Sequence, residues 1–147
     1  KVEQVIICKA DQDESRSWHA DMISIVETLL QQLQLPYRLL QCCTADLGSK
    51  NADMIDIECW MPGRGETGEF AEVTSTSNCT DYQSRRLNIR FKIKGTKGTQ
   101  MVHTLNGTAL AISRAMIVVL ENHQQADGSI RVPEALRPYF GKERIGG

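Results

Sequence analysis

The stretch Met101-Val102-His103-Thr104-Leu105-Asn106-Gly107-Thr108, with the apolar run to Asn122 that follows it, decides how this 147-residue chain is read. Met101 to Thr104 reads as the return strand of a hairpin. Thr108 to Asn122 reads as a helix that is apolar almost all round, with Leu110, Ala111, Ile112, Ala115, Met116, Ile117, Val118, Val119 and Leu120. A helix without a polar face has to be buried. Ser113-Arg114 stands out in it, because an unpaired guanidinium in such surroundings is costly and must meet an anion. A carboxylate in a neighbouring sheet would satisfy it structurally. A phosphate would also fit the planar arginine fork.

Working outward, Leu87, Ile89, Phe91 and Ile93 alternate with Asn88, Arg90 and Lys92, the pattern of a half-buried strand. Lys94 to Gly98 then forms a basic hairpin tip leading to Met101. Further upstream, Val2 to Ile7, Tyr37 to Cys42, Met54 to Trp60 and Phe70 to Ser75 read as strands. Met61-Pro62-Gly63 is a turn and Arg64 to Gly68 a glycine-rich loop, while Ser77 to Arg85 is polar and irregular. Trp18, Met22, Ile25, Val26, Leu29 and Leu33 recur at helical spacing, which predicts a helix over 17–33, capped by Ser15 or Ser17 and closed by Pro36. Asp127-Gly128 is a turn, and Ile130 to Gly147 an ordered extension with Pro133 and Pro138. The connections after position 54 are short. They imply an α+β fold with an antiparallel sheet flanked by helices, not a doubly wound parallel one.

Composition narrows the function. Lys and Arg number 17 and Asp and Glu 18, for a net charge of −1, with 41% hydrophobic and 24% charged residues. This is the balance of a soluble globular domain. It argues against nucleic-acid binding by bulk charge, though not against a local basic patch, and the tip Lys92 to Lys97 reads as a solvated hairpin, with a nucleic-acid contact as the alternative. The longest apolar run, Ala115 to Leu120, is far short of the ~20 residues that span a bilayer, so no membrane role is expected. No phosphate-binding P-loop or dinucleotide glycine pattern occurs. The five cysteines, Cys8, Cys42, Cys43, Cys59 and Cys79, have no metal-ligand spacing and read as reduced thiols of a cytosolic or organelle-matrix protein. Glu3, Glu58 and Glu72 lie in strand-like segments. Singly such carboxylates face solvent, and clustered they would bind an ammonium group or Mg²⁺. Thr74 to Asn78 is hydroxyl-rich and by itself suggests local backbone bonding.

Several segments, in register, resemble the class II aminoacyl-tRNA synthetases, and among them the seryl-tRNA synthetases. Lys1-Val2-Glu3-Gln4 resembles the second strand of the family's motif 2. Leu35-Pro36-Tyr37-Arg38, Asp46-Leu47-Gly48 and Asp56-Ile57-Glu58-Cys59-Trp60-Met61-Pro62 follow in the family's order. Glu72-Val73-Thr74-Ser75 and Gln83-Ser84-Arg85-Arg86 match a glutamate-hydroxyl segment and the Gln-x-Arg-Arg after it. His103 to Thr108, then Arg114 and Leu120-Glu121-Asn122, are similar to motif 3, with Ala109 and Ser113 where many members carry glycine. Val132-Pro133-Glu134-Ala135-Leu136-Arg137-Pro138-Tyr139 resembles the family's C-terminal end.

The resemblance implies that residues 1–147 form the C-terminal portion of a class II catalytic domain, from the second strand of motif 2 to the tail. Motif 1, the first motif 2 strand with its α-phosphate arginine, and the tRNA-gripping coiled-coil arm are then expected upstream of Lys1, and this stretch alone is expected to be inactive. The implied reaction is activation of L-serine by ATP and transfer to tRNA(Ser), in a homodimer whose interface lies outside this chain. The implied compartment is the cytoplasm, or alternatively the mitochondrial matrix or plastid stroma. By resemblance, Arg114 and Glu72 are catalytic; Glu72, Val73, Thr74, Ser75 and Arg114 bind ATP; Glu72 and Ser75 hold Mg²⁺; and Glu3, Asn106 and Thr108 bind serine. The alternatives are a related ligase that loads a carrier protein and a non-catalytic paralogue.

Overall fold

The structure, a computed structural model, describes residues 1–146; Gly147, the last residue of the expected tail, lies outside them. The strands are β1 (Val2–Lys9), β2 (Tyr37–Gln41), β3 (Asp53–Met61), β4 (Glu69–Asn78), β5 (Arg90–Phe91), β6 (Gln100–Leu110), β7 (Ile130–Arg131) and β8 (Arg144–Ile145). The helices are α1 (Gln12–Gln32), α2 (Tyr82–Leu87), α3 (Ile112–His123) and α4 (Arg137–Phe140), with a 3₁₀ turn over Glu134–Leu136. The main sheet runs β1-β6-β4-β3-β2, with β5 pairing to β6, and every pairing is antiparallel. The expected antiparallel sheet with flanking helices is what forms.

Strand alternation sorts the sheet into two faces. Gln4, Ile6 and Cys8 of β1 point towards α1, where Gln4 donates to Met22 O at 3.2 Å. Ile57, Cys59 and Met61 of β3, Ala71 and Val73 of β4, and Ala109 of β6 join Val26 and Leu30 of α1 and Val118 of α3 in one buried cluster. Helices α1 and α3 therefore cover one face, and the other carries polar residues of β4 and β6 together with the exposed Val5 and Ile7 of β1. At the β3–β4 turn, Glu121 accepts from Gly63 N at 2.9 Å and Asn122 donates to Trp60 O at 2.9 Å, so the end of α3 is tied to that turn.

Local chemistry explains where the structure departs from the sequence reading. Helix α1 begins at Gln12, because Asp11 accepts from Glu14 N at 2.8 Å and is the N-cap in place of Ser15 or Ser17. Its buried stripe is Ser15, His19, Met22, Val26 and Leu30, whereas Trp18 and Ile25 are 41% and 51% exposed. The stripe turns this way because His19 is buried and its Nε2 meets Thr76 O at 3.0 Å.

The strand expected over 87–93 is reduced to Arg90–Phe91. Leu87 ends α2 and is 70% exposed, and Asn88 takes a left-handed φ of 52° that closes the helix. Ser84 anchors α2 by donating to Val102 O at 2.6 Å. The expected irregular stretch before Arg85 thus contains the start of a helix. Strand β4 extends through Asn78, so the hydroxyl-rich run Thr74 to Asn78 is strand and not loop.

Thr108 to Leu110 belong to β6, and α3 starts only at Ile112. Nor is α3 buried all round. Ala115 and Val118 face the sheet, but Ile112, Met116 and Ile117 are exposed. Leu120, Leu136, Tyr139 and Phe140 help line an apolar groove of about 440 Å³ between α3 and the tail. Among the described residues no helix is long and apolar enough to cross a membrane.

Candidate active site

The polar face of the sheet holds a cleft of about 680 Å³ whose walls come from β1, β4, β6 and the first turn of α3. The eight residues to which the resemblance gives a site role line it: Glu3, Glu72, Val73, Thr74, Ser75, Asn106, Thr108 and Arg114. They come from segments more than 100 residues apart, and three backbone features bring them together.

The first is a bulge in β4. Ile57 pairs with Thr74 and Glu58 with Glu72, so Val73 is an extra residue. In a regular strand Glu72 and Ser75, three apart, would point to opposite faces. The bulge re-aims Glu72 onto the Ser75 face and sends Val73 into the core. The second is a bulge in β6, where Val2 opposes Leu110 but Glu3 opposes Thr108, leaving Ala109 in the core. Glu3 and Thr108 thereby lie side by side, and the Thr108 hydroxyl donates to Glu3 Oε1 at 3.1 Å. The third is the close approach of β4 and β6 at Gly107, where a Cβ would sit 2.7 Å from Thr76 Oγ1 and 2.9 Å from Thr76 Cα. Only glycine allows these strands to pair at that spacing.

The electrostatics divide the cleft in two. At one end, the Lys1 ammonium sits 2.8 Å from Glu3 Oε1 and 3.5 Å from Thr108 Oγ1. The hydrogen bond from Lys1 holds the Glu3 carboxyl below its ordinary range, opposed by partial desolvation and aided by Thr108. At the other end, Arg114 Nη1 donates to Glu72 O at 3.0 Å and lies 3.3 Å from Glu72 Oε2. Arg114 is half exposed, which corrects the expectation of a guanidinium sunk in a buried helix. The carboxylate in the sheet is its partner, and its remaining surface opens to the cleft.

The other residues differ in what they offer. Thr74 is buried and its hydroxyl donates to Thr108 O, so its side chain braces β6. Val73 belongs to the buried core cluster and borders the cleft as well. Asn106 donates from Nδ2 to Gln83 Oε1 at 3.2 Å, and Gln83 also accepts from Thr104 Oγ1 at 2.7 Å. Glu58 belongs elsewhere, paired with Arg38. Residues the sequence reading did not single out, Lys50, Asn51, Met54 and Ser77, also line the cleft. Lys50 and Asn51 lie in the loop before β3, where no sequence pattern marks them. Burial pushes the Cys42 and Cys59 thiols up to about 11, so neither is a ready nucleophile.

The donor set fits a hard cation bound together with phosphates. Glu72 supplies one carboxylate and Ser75 one hydroxyl to the same cleft, and Mg²⁺ is held by one or two carboxylates plus substrate oxygens. Among the described residues no cluster of three or more His, Cys, Asp or Glu forms an all-protein cage.

Comparison with known proteins identifies the family and the fold. The model of the tRNA synthetase class II core domain (G, H, P, S and T) matches residues 1–123. The chain is 56% identical over 129 residues to the serine–tRNA ligase of Rhodopirellula baltica, covering 88% of this chain and 30% of that protein. The crystal structure of seryl-tRNA synthetase from Pyrococcus horikoshii complexed with ATP aligns with a TM-score of 0.92 at 49% identity, over 99% of this chain and 31% of that one. The cytoplasmic serine–tRNA ligase of Naegleria fowleri in complex with AMP aligns at 0.90 and 36% identity, over 97% of this chain and 33% of that one. The chain spans about a third of the length of these relatives. Sequence and fold agree, and the chain belongs to the class II tRNA synthetase core domain family.

Proposed function

We propose that the protein containing this chain is a serine–tRNA ligase, and that the chain is the C-terminal part of its catalytic domain. The observation that carries this reading is the Glu3–Thr108 pair, which already holds an ammonium, that of Lys1, in the same cleft as Glu72, Ser75 and Arg114. A carboxylate beside a hydroxyl suits an α-ammonium and a small hydroxylated side chain. A site built to bond that hydroxyl rejects analogues lacking it, because its own polar groups are then left unpaired. Asn106, oriented by Gln83, lies beside Thr108 on the same face and completes the amino-acid end.

In the first step a serine carboxylate oxygen attacks the α-phosphorus of ATP. The Pα–O bond to the β-phosphate breaks, and pyrophosphate leaves with that electron pair. In the second, the terminal hydroxyl of tRNA attacks the acyl carbon and AMP leaves. Neither step needs a protein nucleophile, so positioning and charge neutralisation are the protein's contribution. Arg114 neutralises ATP phosphates, trading its Glu72 carboxylate contact for phosphate oxygens. The main chain of Val73 and Thr74 contacts the nucleotide, and Glu72 and Ser75 hold Mg²⁺. That ion, when bound, offsets phosphate charge. The free thiols support a reducing compartment, the cytoplasm or else the mitochondrial matrix or plastid stroma. The active form is a homodimer whose interface lies in the rest of the protein.

Serine-dependent ATP–pyrophosphate exchange by the full-length protein tests this reading. Exchange is expected, with at least a tenfold loss in R114A, and charging is expected on tRNA and not on a carrier protein. Absence of exchange in the wild type refutes the activity. Unchanged exchange in R114A refutes the role of that arginine.

A further inference from the structure

We infer that the surface made by Arg85, Arg86, Arg90, Lys92, Lys94 and Lys97 is an RNA-docking track, which takes the phosphodiester backbone of the tRNA just before its 3′ end enters the cleft. This rests on the proposed ligase activity and adds to it the surface that delivers the second substrate.

The charge pattern is the first support. No aspartate or glutamate occurs between Asp81 and Glu121, and these six cations fall within thirteen residues. The whole chain has a net charge of −1, so the remainder is net acidic and the track is a local field of one sign. Solvated surfaces usually intersperse both signs, and a one-signed stripe is the footprint of a polyanion partner.

The second support is availability. All six side chains are exposed. Arg85 meets Asp81 at 3.5 Å, Arg86 stacks over the Tyr82 ring at 3.6 Å, and Arg90 Nε donates to Asn88 Oδ1 at 2.8 Å. Among the described residues no ion pair holds Lys92, Lys94 or Lys97. Their charges are left for a partner, and compact ammonium groups on flexible stems suit sequence-independent phosphate contacts.

The third support is placement. Helix α2 lies on the cleft side of the sheet, since its Gln83 bonds Thr104 and Asn106, whose side chains share a face with Thr108. The tip is the loop between β5 and β6, and β6 runs from it straight into the cleft. From Gln100 to Thr108 a strand rises about 26 Å at ~3.3 Å per residue. A few extended nucleotides bridge that distance, so an RNA whose 3′ hydroxyl sits at the cleft has its preceding phosphates over the tip.

The test uses the full-length protein and two variants, K92E/K94E/K97E and K92Q/K94Q/K97Q, none of which touches the cleft residues. Equilibrium binding of tRNA is read by fluorescence anisotropy across a KCl series, beside serine-dependent pyrophosphate exchange and charging. Each lost phosphate contact lowers the slope of log K against log salt by about 0.7 to 0.9. The neutral triple variant is expected to lose about 2 units of slope and at least tenfold in tRNA affinity, with the charging KM for tRNA raised as much. The reversed variant is expected to lose more, with exchange unchanged in both. Unchanged tRNA affinity and slope in the neutral variant overturns the track, whether or not the reversed variant weakens by repulsion. Wild type without exchange refutes the ligase reading instead, while the anisotropy series still decides whether this surface takes RNA.

Discussion

Replacing Gly107 by alanine tests whether the spacing of β4 and β6 sets the geometry of the cleft. The added Cβ would lie 2.7 Å from Thr76 Oγ1, 2.9 Å from Thr76 Cα and 3.0 Å from Ser75 O. Ordinary carbon contacts begin near ~3.5 Å, so the strands must separate by about 0.5 to 1 Å. Thr76 is fully buried and two of the three atoms are backbone, so no side-chain swing relieves the clash. Overpacking of this kind costs about 1–3 kcal/mol. The separation acts between Ser75 on one side and Asn106 and Thr108 on the other, the two halves of the cleft. A misplacement of ~1 Å costs as much as about 100-fold in rate. The assay is pyrophosphate exchange by full-length G107A, with thermal unfolding alongside. A fall of about 10- to 100-fold in kcat/KM for serine is expected, with a lower unfolding midpoint. A variant that is less stable but has wild-type kcat/KM refutes the claim that this approach sets the site. One with wild-type stability refutes the close approach itself.

Three further outcomes follow from the same geometry. Thr108→Ala removes the hydroxyl proposed to bond the serine side chain, and a hydrogen bond is worth about 1.5 kcal/mol at most between neutral groups, so the KM for serine is expected to rise up to roughly 10-fold with the KM for ATP unchanged; Thr108→Ser restores it. Glu3 has its pKa lowered from 4.5 by the Lys1 ammonium, so it is ionised throughout the neutral range. Ammonium binding, and the small stabilisation from this exposed pair, are present above the ordinary carboxylate pKa and lost only as pH falls through the lowered one. The KM for serine, measured over about pH 6 to 8, is expected to show no Glu3 titration. Ile57→Ala, at a fully buried position in the centre of β3, is expected to cost about 2–5 kcal/mol in unfolding measurements, whereas Leu87→Ala, 70% exposed, costs almost nothing.

The elements with strong period-2 or helical patterning were legible in the amino-acid order. The alternation from Met54 to Trp60 puts Ile57 and Cys59 on one face, and β3 does bury both. The same rule misled where local chemistry competed with it. Leu87 to Ile93 alternates as a strand should, yet Ser84 ties Tyr82–Leu87 into a helix and left-handed Asn88 ends it. The apolar run before Asn122 suggested one long helix, but Thr108 and Leu110 pair with β1, and strand pairing outweighs intrinsic preference once a partner strand is in place.

By itself the sequence determined the class of the fold, its antiparallel sheet and most of its core, because these depend on hydrophobic period and short connections. It also determined which residue types the cleft contains, through motifs that survive in order along the chain. Only the tertiary structure decided that they meet. Glu72 and Ser75 share a face because an extra residue, Val73, shifts the register of β4 against β3. Glu3 meets Thr108 across a second bulge at Ala109. A bulge exists only between two paired strands, and neither strand encodes it alone. That Arg114 is half exposed and held by Glu72 was likewise settled by packing, because α3 lays Ala115 and Val118 on the sheet and leaves Arg114 at the open mouth of the cleft.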